Sequence, residues 1–598
     1  MANTDVEMNK KSQLSSEVPP PFFIGLFTLL VVFRLWLITG VPKMLIYGPH
    51  DDLYFAKAAH YILHGQWMGP YTQMTLIKGP FYSFFLIFSS LTGLPLFFNE
   101  TVFYVGACII LYFAFKPLIK NHWWRLLLFT LLLFCPASLA TNWTLRVYRE
   151  FVYFSLTLYV LAFFVGLFLR LDRKISTILF WSIGSGLSMG AFLITREEGV
   201  WIYPILFLLL IVCVVFIWKK RLDHKAWRSF LVLLTVFLWY IPTIFVSSLN
   251  YSYYGFWGTS EQLETDFNRV LNALGRIKTS TWHPAIQITK EARMKTYDVS
   301  PLLYEMKDEI ENAVIGWNYS DDLAMEAKPS WYLSQYTNGG SEIGNGHFLW
   351  VFRDAVYQKG YYAEGKYPHE FYMELADQLE SACNDGRLDC SARGKIPFVG
   401  SIDPRQYPII LRMFIENSFH LLNLDSIGIA SLDIKTWPAW PENNNDYRYF
   451  EEFVYDSLDG RGIPSGRDAQ YSLINGKTDL RLKILPFKEK IMGKISYIYN
   501  VFTLPVFVVG FLGWILLLVL SISRRQKDTH NLYLIISIFI LGLLFSRLMT
   551  LTIMDATTSV PGFAYSASNY IFIYIFSFLT LYWLFLQCKM IFFQQAYE

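Results

Sequence analysis

Charged side chains that could carry chemistry gather in three short stretches far apart along the chain. The first runs Gly48-Pro49-His50-Asp51-Asp52-Leu53-Tyr54, continues through Gly65-Gln66-Trp67 and ends at Lys78-Gly79-Pro80. The second is Arg146-Val147-Tyr148-Arg149-Glu150, and the third is Thr195-Arg196-Glu197-Glu198-Gly199. A positioned carboxylate can accept a proton as a general base. Guanidinium and ammonium groups stabilise a departing phosphate, Arg through its bidentate fork and Lys as a point charge. Together these groups suit the transfer of a unit from a phosphate ester to a hydroxyl. A plainer reading stands beside this one. An Asp that opens a helix can cap it, which accounts for one of Asp51 and Asp52 but not for both, and charges at the ends of membrane spans commonly anchor them at the interface. Arg547 sits inside an apolar run, where an ionisable residue points to function unless it snorkels to the interface.

The elements that must position these groups are membrane helices. Of the 598 residues, 54% are hydrophobic and 17% charged, and the mean hydropathy is +0.31; soluble domains carry about a quarter charged residues. With 51 basic against 48 acidic residues the net charge is +3, so no broad basic field offers itself to nucleic acid. Apolar runs near 22–40, 99–117, 124–141, 150–170, 175–194, 200–218, 228–248, 498–523, 532–551 and 568–590 approach the about 20 residues a spanning helix needs. They predict ten spans. The run 81–94 is too short and precedes Pro95 and Asn99-Glu100, so it reads as a re-entrant or interfacial helix. Leaving it out puts the basic loops Lys116–Arg125, Arg170–Lys174, Lys219–Arg228 and Arg524–His530 on one side with the N-terminus, the side the positive-inside rule makes cytoplasmic. The expectation is an α-helical polytopic membrane protein with both termini cytoplasmic: a tail 1–21, a transmembrane module 22–248, an external, mainly helical domain 249–497, and C-terminal helices in 498–598. Segments 41–80, 142–149, 195–199 and 552–567 share the external face with that domain. Of six cysteines, only Cys383 and Cys390 lie in polar sequence, either as a disulfide or as two thiols.

A sugar on a lipid phosphate presents its head group at the depth of these external loops. Asp51-Asp52 opening a helix that carries Tyr54, then Gly65-x-Trp67, Lys78-Gly79-Pro80 before an apolar helix, an acid at position 150, and Arg196-x-Glu198-Gly199 follow an order that resembles the membrane-embedded GT-C glycosyltransferase superfamily. It is similar to the branch with bacterial lipid A aminoarabinose transferases and protein O-mannosyltransferases, over roughly the first 250 residues. The resemblance implies a catalytic base at Asp51 or Asp52 and donor-phosphate contacts from Lys78 and Arg196, with Arg149 and Arg547 beside them. It implies substrate contacts from Tyr54, Trp67, Glu150 and Glu198. The implied partners are a polyprenyl-phosphate sugar, a cell-envelope acceptor (glycan, lipid or protein) and the bilayer. The expected setting is the bacterial inner membrane with the large domain periplasmic. A monophosphate leaving group held by fixed cations needs no divalent metal, and no cofactor is expected. Two features depart from the family: Glu150 stands in a different local pattern, and 249–497 matches no external domain of it. A transporter or flippase for a lipid-linked sugar is the alternative.

Overall fold

The structure is a computed structural model that describes residues 20–595 apart from 264, 327, 334–340, 392–402, 426, 434–436, 438–444, 455–479, 524–527 and 561. The tail 1–19 and part of the basic loop Arg524–His530 therefore lie outside the described residues. What is described is helical, with only isolated bridges such as Met44 to Arg146.

Among the described residues nine helices are long and apolar enough to cross a membrane: Pro21–Ile38, Leu96–Ala114, Glu150–Phe168, Ile175–Leu193, Glu197–Lys219, Lys225–Tyr254, Lys483–Ile522, Asn531–Thr557 and Ala564–Met590. The tenth apolar run, 124–141, folds as the 12-residue helix His122–Leu133 followed by a 3-10 turn at Pro136–Ser138. At 1.5 Å per residue a 12-residue helix reaches about 18 Å, short of the roughly 30 Å hydrocarbon layer. Asn121 starts it by accepting hydrogen bonds from the N–H groups of Trp123 and Trp124, and Pro136, with no N–H to give, cannot continue it. The doubtful run 81–94 becomes the short helix Phe81–Leu91, stopped before Gly93 (φ 65°) and Pro95.

Glu150–Phe168 is the central post: it is buried along nearly its whole length and packs against both Leu96–Ala114 and Ile175–Leu193. On its other side Ile175–Leu193 meets Lys225–Tyr254 through Gly186 and Gly190. A Cβ at Gly186 would stand 2.4 Å from Leu238 Cβ, and one at Gly190 2.8 Å from the Trp239 carbonyl. This spacing of small residues lets two membrane helices close to backbone contact.

Between Tyr254 and Leu480 the chain makes shorter helices that pair as Thr265–Gly275 with His369–Asn384 and Lys307–Glu326 with Asn345–Gln358. Cys383 and Cys390 form a disulfide there. Buried Arg353 ties this region to the first loop, donating to the carbonyls of Gln73 (2.7 Å) and Thr75 (2.9 Å) and pairing with Glu261. Lys328 ties it to the last turn of helix Asn531–Thr557 through Asp555 (3.0 Å) and to the loop beyond through the Val560 carbonyl (2.9 Å).

Candidate active site

Asp51 occupies the N-cap position of helix Asp52–Leu63, yet its side chain makes no capping hydrogen bond. Both aspartates turn to cations instead. Arg146 Nε donates to Asp52 Oδ1 (3.3 Å) and Oδ2 (3.1 Å), and Nη2 reaches Asp51 Oδ2 at 3.5 Å. Lys78 Nζ pairs with Asp51 Oδ1 and donates to the His50 carbonyl. The two carboxylates differ in access: the Asp52 side chain is 0% exposed and that of Asp51 37%. Burial pushes Asp52 up to about 6, with Arg146 pulling the other way. Burial also raises Asp51, but Lys78 and Arg146 outweigh it and hold its carboxyl below the usual carboxylate range. Burial lowers Lys78, and Asp51 offsets part of that. His50, lowered to about 4 by burial and by Lys78, sits edge-on to Trp317 and Trp350 at 4.6 and 4.4 Å between ring centroids.

A second set of charges lies behind the first. Arg149 grips both oxygens of Glu197 (3.0 and 2.9 Å) and donates to the Thr195 carbonyl (2.7 Å). The same Glu197 accepts from the Gly79 N–H at 2.7 Å. A Cβ on Gly79 would fall 2.1 Å from the Ile194 carbonyl oxygen, so only glycine lets Lys78-Gly79-Pro80 dock on the 194–197 turn. Tyr54 donates its hydroxyl to the Lys78 carbonyl (3.0 Å), a further brace on that lysine. Arg196 lies between Glu150 and Glu198, with Nε 2.6 Å from Glu198 Oε1. Arg547, fully buried, is 3.7 Å from the same oxygen and donates to the Tyr565 carbonyl (3.4 Å). Its Nε and Nη1 have no hydrogen-bond partner, nor has Glu150 Oε1, which borders a small cavity shared with Thr141, Trp143, Thr144 and Phe151.

Aromatic rings floor both sets. Tyr148 lies under Arg146 (4.9 Å) and Lys78 (5.7 Å), Tyr565 under Arg196 (4.5 Å), and Trp143 packs on both tyrosines. The fold thus brings Asp51, Asp52, Tyr54, Lys78, Arg149, Glu150, Arg196, Glu198 and Arg547 into one region. Trp67 is used elsewhere: its indole donates to Asn250 (2.8 Å), joining the first loop to helix Lys225–Tyr254. The sequence points to Arg149 in this loop, whereas Arg146 is the residue that holds both aspartates. Its only sequence signal is being the other arginine of the same loop; its extended backbone beside the Met44 bridge is what turns it toward the aspartates.

Fold and site define a multi-pass α-helical membrane protein whose loops enclose a compact cluster of alternating acids and bases. No protein-family model matches the chain, and none of the curated proteins matches it. It is similar to solved structures of ArnT from Cupriavidus metallidurans. The apo form gives 13% identity over 89% of this chain and 77% of that one, with a TM-score of 0.30. The form bound to undecaprenyl phosphate gives 14% identity over 90% and 78%, with the same TM-score. Values this low describe no site in common.

Proposed function

We propose that the protein is an inverting GT-C type glycosyltransferase, moving a sugar from a polyprenyl-phosphate donor to a hydroxyl of a cell-envelope acceptor at the external face of a bacterial inner membrane. One observation carries this reading: a partly exposed carboxylate, Asp51, is held by Lys78 and Arg146, which reach it from two different loops between the membrane helices. Asp51 is the base because it alone of the pair can meet an acceptor; reach comes before pKa in choosing a general base. The acceptor oxygen attacks the anomeric carbon as the bond to the phosphate oxygen breaks. The bonding pair leaves with the phosphate, and the hydroxyl proton passes to Asp51.

The cations explain how a carboxylate that binds protons weakly becomes a base. A phosphate arriving beside Asp51 competes for Lys78 and Arg146, and each contact it takes is withdrawn from Asp51, whose proton affinity rises toward its ordinary value. Asp52 stays with Arg146 and fixes its fork. Arg196 and Arg547 stand behind the phosphate, where their guanidinium groups, shared with Glu150 and Glu198, can turn toward it. Arg149, Glu197 and Tyr54 act as positioning residues for Lys78, Glu150 and Glu198 orient Arg196, and Trp67 fixes the loop. The residues involved need no metal at this centre. Basic loops on the opposite side and a disulfide in the 255–479 segment support the external placing of the site.

The test is sugar transfer from a polyprenyl-phosphate donor by the purified protein in detergent, with Asp51→Ala and Asp52→Ala made separately. Full activity in both variants rejects the assignment. The transporter reading fits less well, because transporters collect their polar groups near the midplane on broken helices and here the site's charges other than Arg547 lie in loops and at helix ends. Substrate movement in proteoliposomes that survives Asp51→Ala would restore it.

A further inference from the structure

The far end of helix Asp52–Leu63 carries a second constellation, which the proposed transfer does not use. His60 lies in the last turn, His64 one turn later at the C-cap, and Glu452 arrives from the 255–479 segment just after helix Arg448–Glu451. Each offers one ligand atom, and the three atoms lie within 4.8 Å of one another. Two neutral imidazoles at i and i+4 with a carboxylate form the donor set of divalent zinc. Tetrahedral ligands about 2.1 Å from zinc stand about 3.4 Å apart, so closure asks for movements of about 1 Å from side chains that are partly exposed.

Three details favour a bound ion over a chance meeting of surface groups. His64 Nδ1 lies 2.8 Å from the His60 carbonyl; a carbonyl only accepts, so Nδ1 carries the proton and Nε2 is left with the lone pair. That is the arrangement outer contacts impose on a metal-binding histidine. Glu452 Oε1 accepts from His60 Nδ1 at 2.9 Å, while Oε2 is shielded from solvent and has no hydrogen-bond partner. The surroundings hold the two elements together without using these donors: Lys57 pairs with Asp446 (3.1 Å) and lies over Tyr449, and Tyr449 packs edge-on against His60.

We infer that His60, His64 and Glu452 bind one zinc-class divalent ion, with water as fourth ligand, which clasps the helix opened by Asp51 and Asp52 to the 255–479 segment. From Asp52 to His60 the helix rises about 12 Å at 1.5 Å per residue, so the ion touches no reacting group. It acts as a fastener. Because the donors must be unprotonated, binding releases protons and weakens in acid.

The experiment uses the full chain carrying no polyhistidine tag, purified in detergent, stripped with EDTA and reloaded with Zn²⁺ alone. Expected are one zinc per chain retained through gel filtration and a higher unfolding temperature in the zinc-loaded form. Competition with a chromophoric chelator should show affinity falling more than about tenfold in both His64→Ala and Glu452→Gln. His64 is exposed, so its replacement spares the fold, and Co²⁺ substitution should give the strong visible bands of a four-coordinate site. Absence of retained zinc, or equal stoichiometry in wild type and both variants, overturns the inference. These readouts need no sugar donor, so they stand or fall apart from the transferase assignment.

Discussion

Two charge clusters built from the same residue types sit side by side, and they are not equivalent. In the outer one, Asp51 and Asp52 face Lys78 and Arg146, and one carboxylate is 37% exposed. In the inner one, Glu150, Glu197 and Glu198 face Arg149, Arg196 and Arg547, with every arginine buried. Each cluster is balanced in formal charge. An incoming phosphate must therefore displace a carboxylate from its cation, and the displaced group must go somewhere. Asp51 can turn to water or to an acceptor hydroxyl. Glu197, gripped at both oxygens by Arg149 and donated to by Gly79, has no such outlet, and stranding a buried charge costs the fold several kcal/mol. Access to solvent, more than charge, separates a site that can exchange partners from one that fastens helices.

The comparison can be broken at either end. The largest effect is expected from Asp51→Ala, which should lower kcat by about 10²–10⁴-fold while leaving the unfolding temperature in detergent near wild type. A large loss of stability would move Asp51 into the fastening class. Arg149→Met should do the opposite, costing about 3–5 kcal/mol of stability by leaving Glu197 uncompensated, read by thermal or chemical unfolding of the purified protein. Gly79→Ala comes next. The new methyl collides with the Ile194 carbonyl, and a displacement of Lys78 by about 1 Å should cost on the order of 100-fold in kcat/KM; wild-type kinetics would show that the Lys78-Gly79-Pro80 docking does not matter.

The smallest effect is the most diagnostic. Asp51 is held below the usual carboxylate range, so with Asp51 as base kcat/KM should stay level from neutrality down to pH 5. With Asp52 as base, whose burial puts it at about 6, kcat/KM should fall about tenfold for each unit below that pH. The same raised value makes the Asp52 contribution to stability greatest in acid and lost as the pH rises through about 6.

Much of the site was legible because of where its residues sit in the chain. Asp51, Lys78, Arg149, Glu150, Arg196 and Glu198 flank apolar runs, and a membrane fixes the depth of a residue at a span's edge. Arg547 was legible for the opposite reason, as a charge inside an apolar run. Partnership was not legible. Nothing local distinguishes Arg146 from Arg149 three residues on, yet the first holds the aspartates and the second is bound to Glu197. For Trp67, which the resemblance makes a substrate contact, the hydrogen bond from its indole to Asn250 is another partnership nothing local announces. The run 124–141 read as one span because its apolar length hides what Pro136 does to a helix.

By itself the sequence determined that the chain belongs in a bilayer, where nine of its ten expected spans run, and which charged loops flank them. Those properties follow from segment length, hydropathy and the placing of Lys and Arg, each of which acts locally against the solvent. The tertiary structure alone decided which acid faces which base, which carboxylate keeps access to water, and that His64 and Glu452 meet. Such pairings join positions as distant as Lys57 and Asp446, and they are fixed by how helices pack and how loops fold back, terms that depend on the whole chain at once.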